Sequence, residues 1–145
     1  MNKTRFALLA ALAALTYQQT TCADDEDVIS YRQLLMKQID AETTALGMMA
    51  SNQIPADALG LEARSIANAT KAALKAFEPN VPGGEAKPEV WSKWDDFSKR
   101  MQVFAENTDE MAKVAETGNV NKVTELMVTA LPCKECHDVY RNKKK

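Results

Sequence analysis

Near the end of the chain two thiols and an imidazole stand together in the run Cys133, Lys134, Glu135, Cys136, His137. Three chemistries use such a set: a zinc site, thiol–disulfide exchange, or covalent attachment of a haem. A closed zinc site takes about four ligands, and His137 is the only histidine, with no second cysteine pair to complete one. An exchange-active CxxC is expected after a strand and before a helix, early in its fold. Here it ends a chain patterned for helix. Haem attachment meets each constraint. Two cysteines three apart on a helical turn add across the two vinyl groups of one porphyrin, and the adjacent imidazole reaches the iron from the same side. Haem c on Cys133 and Cys136, with His137 as the iron ligand of one face, is the expected chemistry.

The motif leaves the other face of the iron open. Without a second histidine, bis-histidine ligation is excluded, and a methionine sulfur, a lysine or an open apolar position remain. Met36 stands on an inward stripe one turn after Arg32. A charge on such a stripe needs a partner, and a haem propionate supplies one through charge-assisted hydrogen bonds. That places Arg32 at the haem edge and Met36 over its face; an ion pair at the bundle end and plain core packing are the competing readings. Met48, Met49, Met101, Met111 and Met127 are expected in the core, as are Trp91, Trp94, Phe97 and Phe104.

Four amphipathic segments must position these groups. Ile29, Arg32, Met36, Ile39, Thr43, Leu46 and Ala50 recur at three- and four-residue steps, one face of a helix. Asn52 and Pro55 then mark a turn. Leu59, Ala63, Ile66, Thr70, Ala73 and Phe77 form a second stripe. The connection "EPNVPGGEAKPE" holds three prolines and two glycines and continues neither helix. Pro88 suits the first turn of a third helix, whose period runs through Val90, Trp94, Phe97, Met101, Phe104, Thr108, Met111 and Ala115. Gly118 is a natural stop and Asn119 a natural start. Val120, Val123, Met127 and Ala130 carry the last helix into the cysteine motif. Nothing alternates with period two for long enough to make a strand. The expected fold is all-α, an antiparallel four-helix bundle with one covalently bound haem.

The ends and the composition set the context. Lys3 and Arg5 precede the apolar run Phe6–Leu15, too short for a stable membrane span. Residues 1–23 read as an export signal, which leaves 24–145 as one bundle domain. Cys22 departs with the signal, since Thr20 and Thr21 make a poor lipobox. Without Lys3 and Arg5 the chain has 16 basic and 20 acidic side chains, a net charge of −4. That balance gives no footprint for nucleic acid, and nothing holds the exported chain to a membrane. Acidic Asp24–Asp27 at the first helix start, and Arg141 with Lys143–Lys145 at the last helix end, suit the helix macrodipole; a docking patch is the other reading. No nucleophile–base pair or paired carboxylates imply catalysis.

The runs "YRQLLMK", "GGEAKPEVW" and "CKECHDVYR" resemble the class II c-type cytochromes, cytochrome c′ and its low-spin relative cytochrome c-556, and the resemblance spans the whole of 24–145. It implies that Cys133 and Cys136 are the thioether cysteines and His137 the proximal ligand. Arg32 and Gln33 match positions that contact the propionates, and Glu85 and Ala86 match a loop folded against the haem. Arg141 matches a basic residue near the proximal face. Met36 matches the position covering the distal face, apolar in cytochrome c′ and a ligating methionine in the low-spin branch. The resemblance further implies a periplasmic homodimer. One function binds a small diatomic gas, NO or CO, at a five-coordinate iron and/or carries electrons; the alternative is a His/Met electron carrier working with a redox partner protein. Pro132, directly before Cys133, departs from the pattern. It removes a helical hydrogen bond and clashes with the Val128 carbonyl, so a kink or break is expected there.

Overall fold

The computed structural model describes residues 24–143, so the expected export signal, Cys22, Lys144 and Lys145 lie outside the described residues. Six helices follow one another: α1 (Asp25–Ala50), α2 (Leu59–Phe77), α3 (Glu89–Ser92), α4 (Trp94–Ala115), α5 (Val120–Ala130) and α6 (Cys133–Tyr140). They form the four members of a bundle, because α3 leads into α4 and α5 into α6. Packing runs from α2 against both α4 and α1, with α5 against α4 and α1. Among the described residues the only β pairing is a pair of isolated antiparallel bridges, Gly83 with Ala86 and Ala86 with Arg141.

Local chemistry explains the helix ends. Asp24 Oδ1 accepts the Asp27 N–H at 2.8 Å, a side-chain cap on α1. Three acids in its first turn favour the positive end of the dipole. Asn52 turns with φ 58° and Gly118 with φ 75°, both left-handed conformations suited to ending a helix. Asn119 Oδ1 then accepts the Lys122 N–H at 3.1 Å and starts α5.

The interior has two parts along the bundle. Away from the cysteine motif, Leu46, Leu59, Ile66, Met111 and Val123 are almost fully buried, each large side chain contributing about 1.5–3 kcal/mol by leaving water. Near the motif, Leu35, Ile39, Phe77, Phe97, Met101 and Tyr140 make the second cluster. Thr70 and Thr108 are fully buried, with their hydroxyls 2.9 Å apart across α2 and α4. All six stripe residues of α2 are buried. On α1, Leu35 and Met49 join the buried face while Met36 and Thr43 are half-buried. Met48 is on the surface rather than in the core.

Two interruptions shape the functional end. The expected third helix does not run unbroken from Pro88: Lys93 leaves helical geometry at φ −124°, ψ 43°. At the break the Trp91 indole N–H donates to the carbonyls of Phe77 and Pro79, 3.0 Å from each. Trp94, beyond the break, packs on Phe97 with ring centroids 5.8 Å apart. The break expected at Pro132 is present. The last α5 residue is Ala130, Leu131 sits at φ −120°, ψ 64°, and Pro132 at φ −77°, ψ 45° precedes α6.

The connection between α2 and α3 lies on α1. At Gly83 (φ 148°) a Cβ would run into Ile29 Cδ1, and at Gly84 (φ 62°) it would come within 2.8 Å of Gln33 Nε2. Only glycine allows both the left-handed backbone and this close approach.

Candidate functional site

Pro132 starts a new helix at the motif, so Cys133, Cys136 and His137 fall within one turn and a half of α6. Cys133 is exposed and Cys136 half-buried, and the two thiols are not joined to each other. Partial burial pushes both thiols up, the opposite of the depressed pKa an exchange-active dithiol needs. His137 is half-buried, and burial, reinforced by the Arg141 charge, pushes its pKa down. The ring is therefore neutral at pH 7, the form that ligates metal.

Arg141 Nη1 lies 3.3 Å from His137 Nδ1. A guanidinium only donates, so Nδ1 accepts here and the ring proton belongs on Nε2. A metal held by Nε2 would leave the ring proton on Nδ1, facing the Arg141 donor, so holding it would call for a different Arg141 contact. Arg141 is also held by Glu85, Nε to Oε2 at 3.1 Å, and the Asn142 N–H donates to the Glu85 carbonyl at 2.8 Å. Arg141 is thus an extended residue tied to the loop rather than a charge on the last helical turn.

Arg32 is 3% exposed. Its guanidinium lies 5.2 Å from the Phe77 ring centroid and 5.1 Å from that of Trp91, and Nη2 donates to the Val81 carbonyl at 2.6 Å. No carboxylate among the described residues pairs with it, so the bundle-end ion pair is absent. Burial pushes its pKa down. Nη1 is buried with no hydrogen-bond partner. A buried cation with a free donor is costly unless an anion meets it, and a haem propionate has the charge and geometry to do so. The donor set fits a haem on these terms: two thiols, a neutral imidazole, an apolar interior and an orphaned guanidinium donor.

Met36, one turn from Arg32, is half-buried and packs against the same cluster as Cys136, Ala86, Trp91 and Phe104. The structure thus brings Met36, Ala86 and Cys136 to one apolar cluster, with Arg32 against Trp91 at its margin. Gln33 is exposed beside Gly84, and Glu85 is turned to Arg141.

Other contacts at this end have no signal in a single sequence. Tyr140 is 4% exposed, its hydroxyl donates to Asp96, and its ring meets Phe97 edge-on at 5.1 Å. Burial first, and then Asp96, push Tyr140 up to about 12. Asp96 also accepts from Arg100 Nε at 2.7 Å, and these two bonds hold its carboxyl below the usual range. Lys87 reaches the end of α6 in the same way, from a loop far away in sequence.

Comparison with known proteins points one way. The family described as Cytochrome C′ matches residues 27–141. A cytochrome c′ from Alcaligenes xylosoxydans xylosoxydans is 32% identical over 125 residues, covering 84% of this chain and 98% of that protein. A cytochrome c-556 from Agrobacterium fabrum is 28% identical over 121 residues, covering 80% of this chain and 82% of that protein. The solved structure of a ferrous variant of cytochrome c prime from Alcaligenes xylosoxidans with bound NO superposes with a TM-score of 0.78 at 28% identity, covering 85% of this chain and 99% of that one.

Proposed function

Because this chain belongs to the cytochrome c′ family and holds one haem c covalently through Cys133 and Cys136, we propose that it binds a small neutral diatomic gas, NO or CO, at an iron held by His137. The haem supplies the iron that takes the gas or an electron. The chain supplies the surroundings. Leu35, Ile39, Phe97 and Met101 are buried near Cys136, and Arg32 is the one charged side chain buried among the described residues. Such apolar surroundings favour a neutral diatomic molecule over an anion, which would have to shed its water. That apolar lining is the observation that carries the proposal, and the NO-bound relative supports it.

In this reading Met36 crowds the face opposite His137 without bonding. Arg32 and Gln33 hold the propionates, Glu85 and Ala86 cover the haem from the loop, and Arg141 lies by the proximal face. Residues 1–23 direct export to the periplasm, and no described helix is long and apolar enough to cross a membrane. The exposed Tyr31 and Leu34 of α1 and Leu61 of α2 support pairing with a second copy as a homodimer. No catalytic group is assigned.

A second reading is favoured by the inward place of Met36 and by the cytochrome c-556 relative. Its sulfur bonds the iron opposite His137, and the protein carries electrons to or from a partner protein. Absorption and EPR spectra of the purified haem protein, with and without CO or NO, separate the two. The gas-binding reading expects high-spin iron that takes up gas, and a spectrum that Met36→Ala leaves unchanged. Low-spin iron that turns high-spin on Met36→Ala refutes it and establishes the electron carrier.

A further inference from the structure

The final four carbonyls of an α-helix have no partner within the helix. In α6 these belong to His137, Asp138, Val139 and Tyr140. The first accepts the Arg141 N–H at 3.0 Å. The other three all go to one residue. Lys87 Nζ donates to the Asp138 carbonyl at 3.3 Å and to the Val139 carbonyl at 3.1 Å, and the Lys87 backbone N–H donates to the Tyr140 carbonyl at 2.9 Å. A cation placed there also favours the negative end of the helix dipole.

This matters because α6 is eight residues long, and isolated helices shorter than about 12–15 residues are marginal in water. The break at Leu131 and Pro132 denies it continuity with α5. The anchor itself is firm. The loop that carries Lys87 is fastened to α1 where Arg32 Nη2 meets the Val81 carbonyl at 2.6 Å. It is fastened again where the Trp91 indole meets the Pro79 carbonyl at 3.0 Å. If the last turn of α6 frays, the His137 carbonyl loses its bond to Arg141 and the imidazole loses its fixed base.

We propose that Lys87 is a positioning residue for His137, acting by closing the C-terminus of α6; the proposal rests on the reading of His137 as the iron ligand. It contacts neither the iron nor the gas. The role belongs to the ammonium group, since the backbone N–H survives any substitution except proline.

The test compares haem-loaded wild type, Lys87→Met, which keeps the length and loses the donors, and Lys87→Arg, which restores them. Amide hydrogen exchange at Arg141 and Asn142 is followed beside Met111 of α4 as a reference, and resonance Raman of the ferrous protein reads the iron–imidazole stretch. Lys87→Met is expected to speed exchange at Arg141 and Asn142 by about tenfold or more with Met111 unchanged. It is also expected to shift or broaden the iron–imidazole band. Lys87→Arg is expected to return both to within about threefold of wild type or better. Unchanged exchange at Arg141 in Lys87→Met overturns the proposal, and so does equal loosening of Met111 or an iron–imidazole band identical in all three proteins. A wild type with no iron–imidazole band would instead refute the five-coordinate reading, since a ferrous iron that also takes the Met36 sulfur loses that band, while the exchange data still judge the cap.

Discussion

Replacing Arg32 by methionine in the haem-loaded protein tests whether an anion meets its free donor. The bond to the Val81 carbonyl, at 2.6 Å, is worth about 1.5–3 kcal/mol because the donor is charged. Contacts with the Phe77 and Trp91 rings add about 0.5–2 kcal/mol each. Against them stand several kcal/mol for taking a cation out of water and about 1–3 kcal/mol for the unpartnered Nη1. With no anion at Nη1 these opposing contributions nearly cancel, and methionine, of similar length and apolar, costs about 1 kcal/mol or less. With a propionate at Nη1 the substitution strands a partly buried anion, and the loss rises to about 3–5 kcal/mol. Urea unfolding followed by the haem absorbance reads the difference as a shift of midpoint at constant slope. The expected result is the larger loss, with Arg32→Lys in between, because an ammonium keeps the charge without the planar fork. A loss near zero for Arg32→Met refutes the propionate role.

Two further predictions concern pH. Asp109 takes bonds from Arg64 at 2.8 Å, Lys71 at 2.7 Å and Lys113 at 3.2 Å. The lysine bonds first, then Arg64, hold its carboxyl well below the usual range. The lowered pKa means that this stabilisation is present above the unfolded value of about 3.9 and is lost as pH falls below it. Asp109→Asn is expected to lower Tm at pH 7, with the gap to wild type closing in acid; a gap constant from neutral pH into acid contradicts the network. Tyr140 has the opposite sign. Its pKa is raised to about 12, so its contribution is present below the unfolded value of about 10 and lost as pH rises towards 12. Wild type is expected to lose Tm steeply over that alkaline window and Tyr140→Phe less steeply, while a Tyr140 tyrosinate signal already half-developed at about pH 10 would show the hydroxyl to be free.

The helices themselves were legible in the sequence because periodicity is a local property. The α2 stripe maps wholly onto buried positions, and the stops at Gly118 and Pro132 lie where backbone chemistry demands them. The break at Lys93 was not legible. Its neighbours keep a helical period, and the reason for it, the Trp91 indole fastening the loop, is a contact between segments. Met48 shows the same limit. Its hydrophobicity suits a core, but its neighbours Leu46 and Met49 take the buried face of α1 and Met48 stays on the surface.

By itself the sequence determined the chemistry of attachment, since two cysteines and one histidine within five residues leave few alternatives and no second histidine exists to change them. It also marked Arg32 as a charge on an inward face. What Arg32 does there, between two aromatic rings with one donor satisfied and one free, only the tertiary structure decided. The same holds for Lys87, which closes α6 from 51 residues upstream of Asp138. Residue type and spacing decide what a short motif can bind, because bond-forming groups close in sequence are close in space. How firmly it is held depends on groups brought together only when the bundle closes, and a single sequence carries no record of that distance.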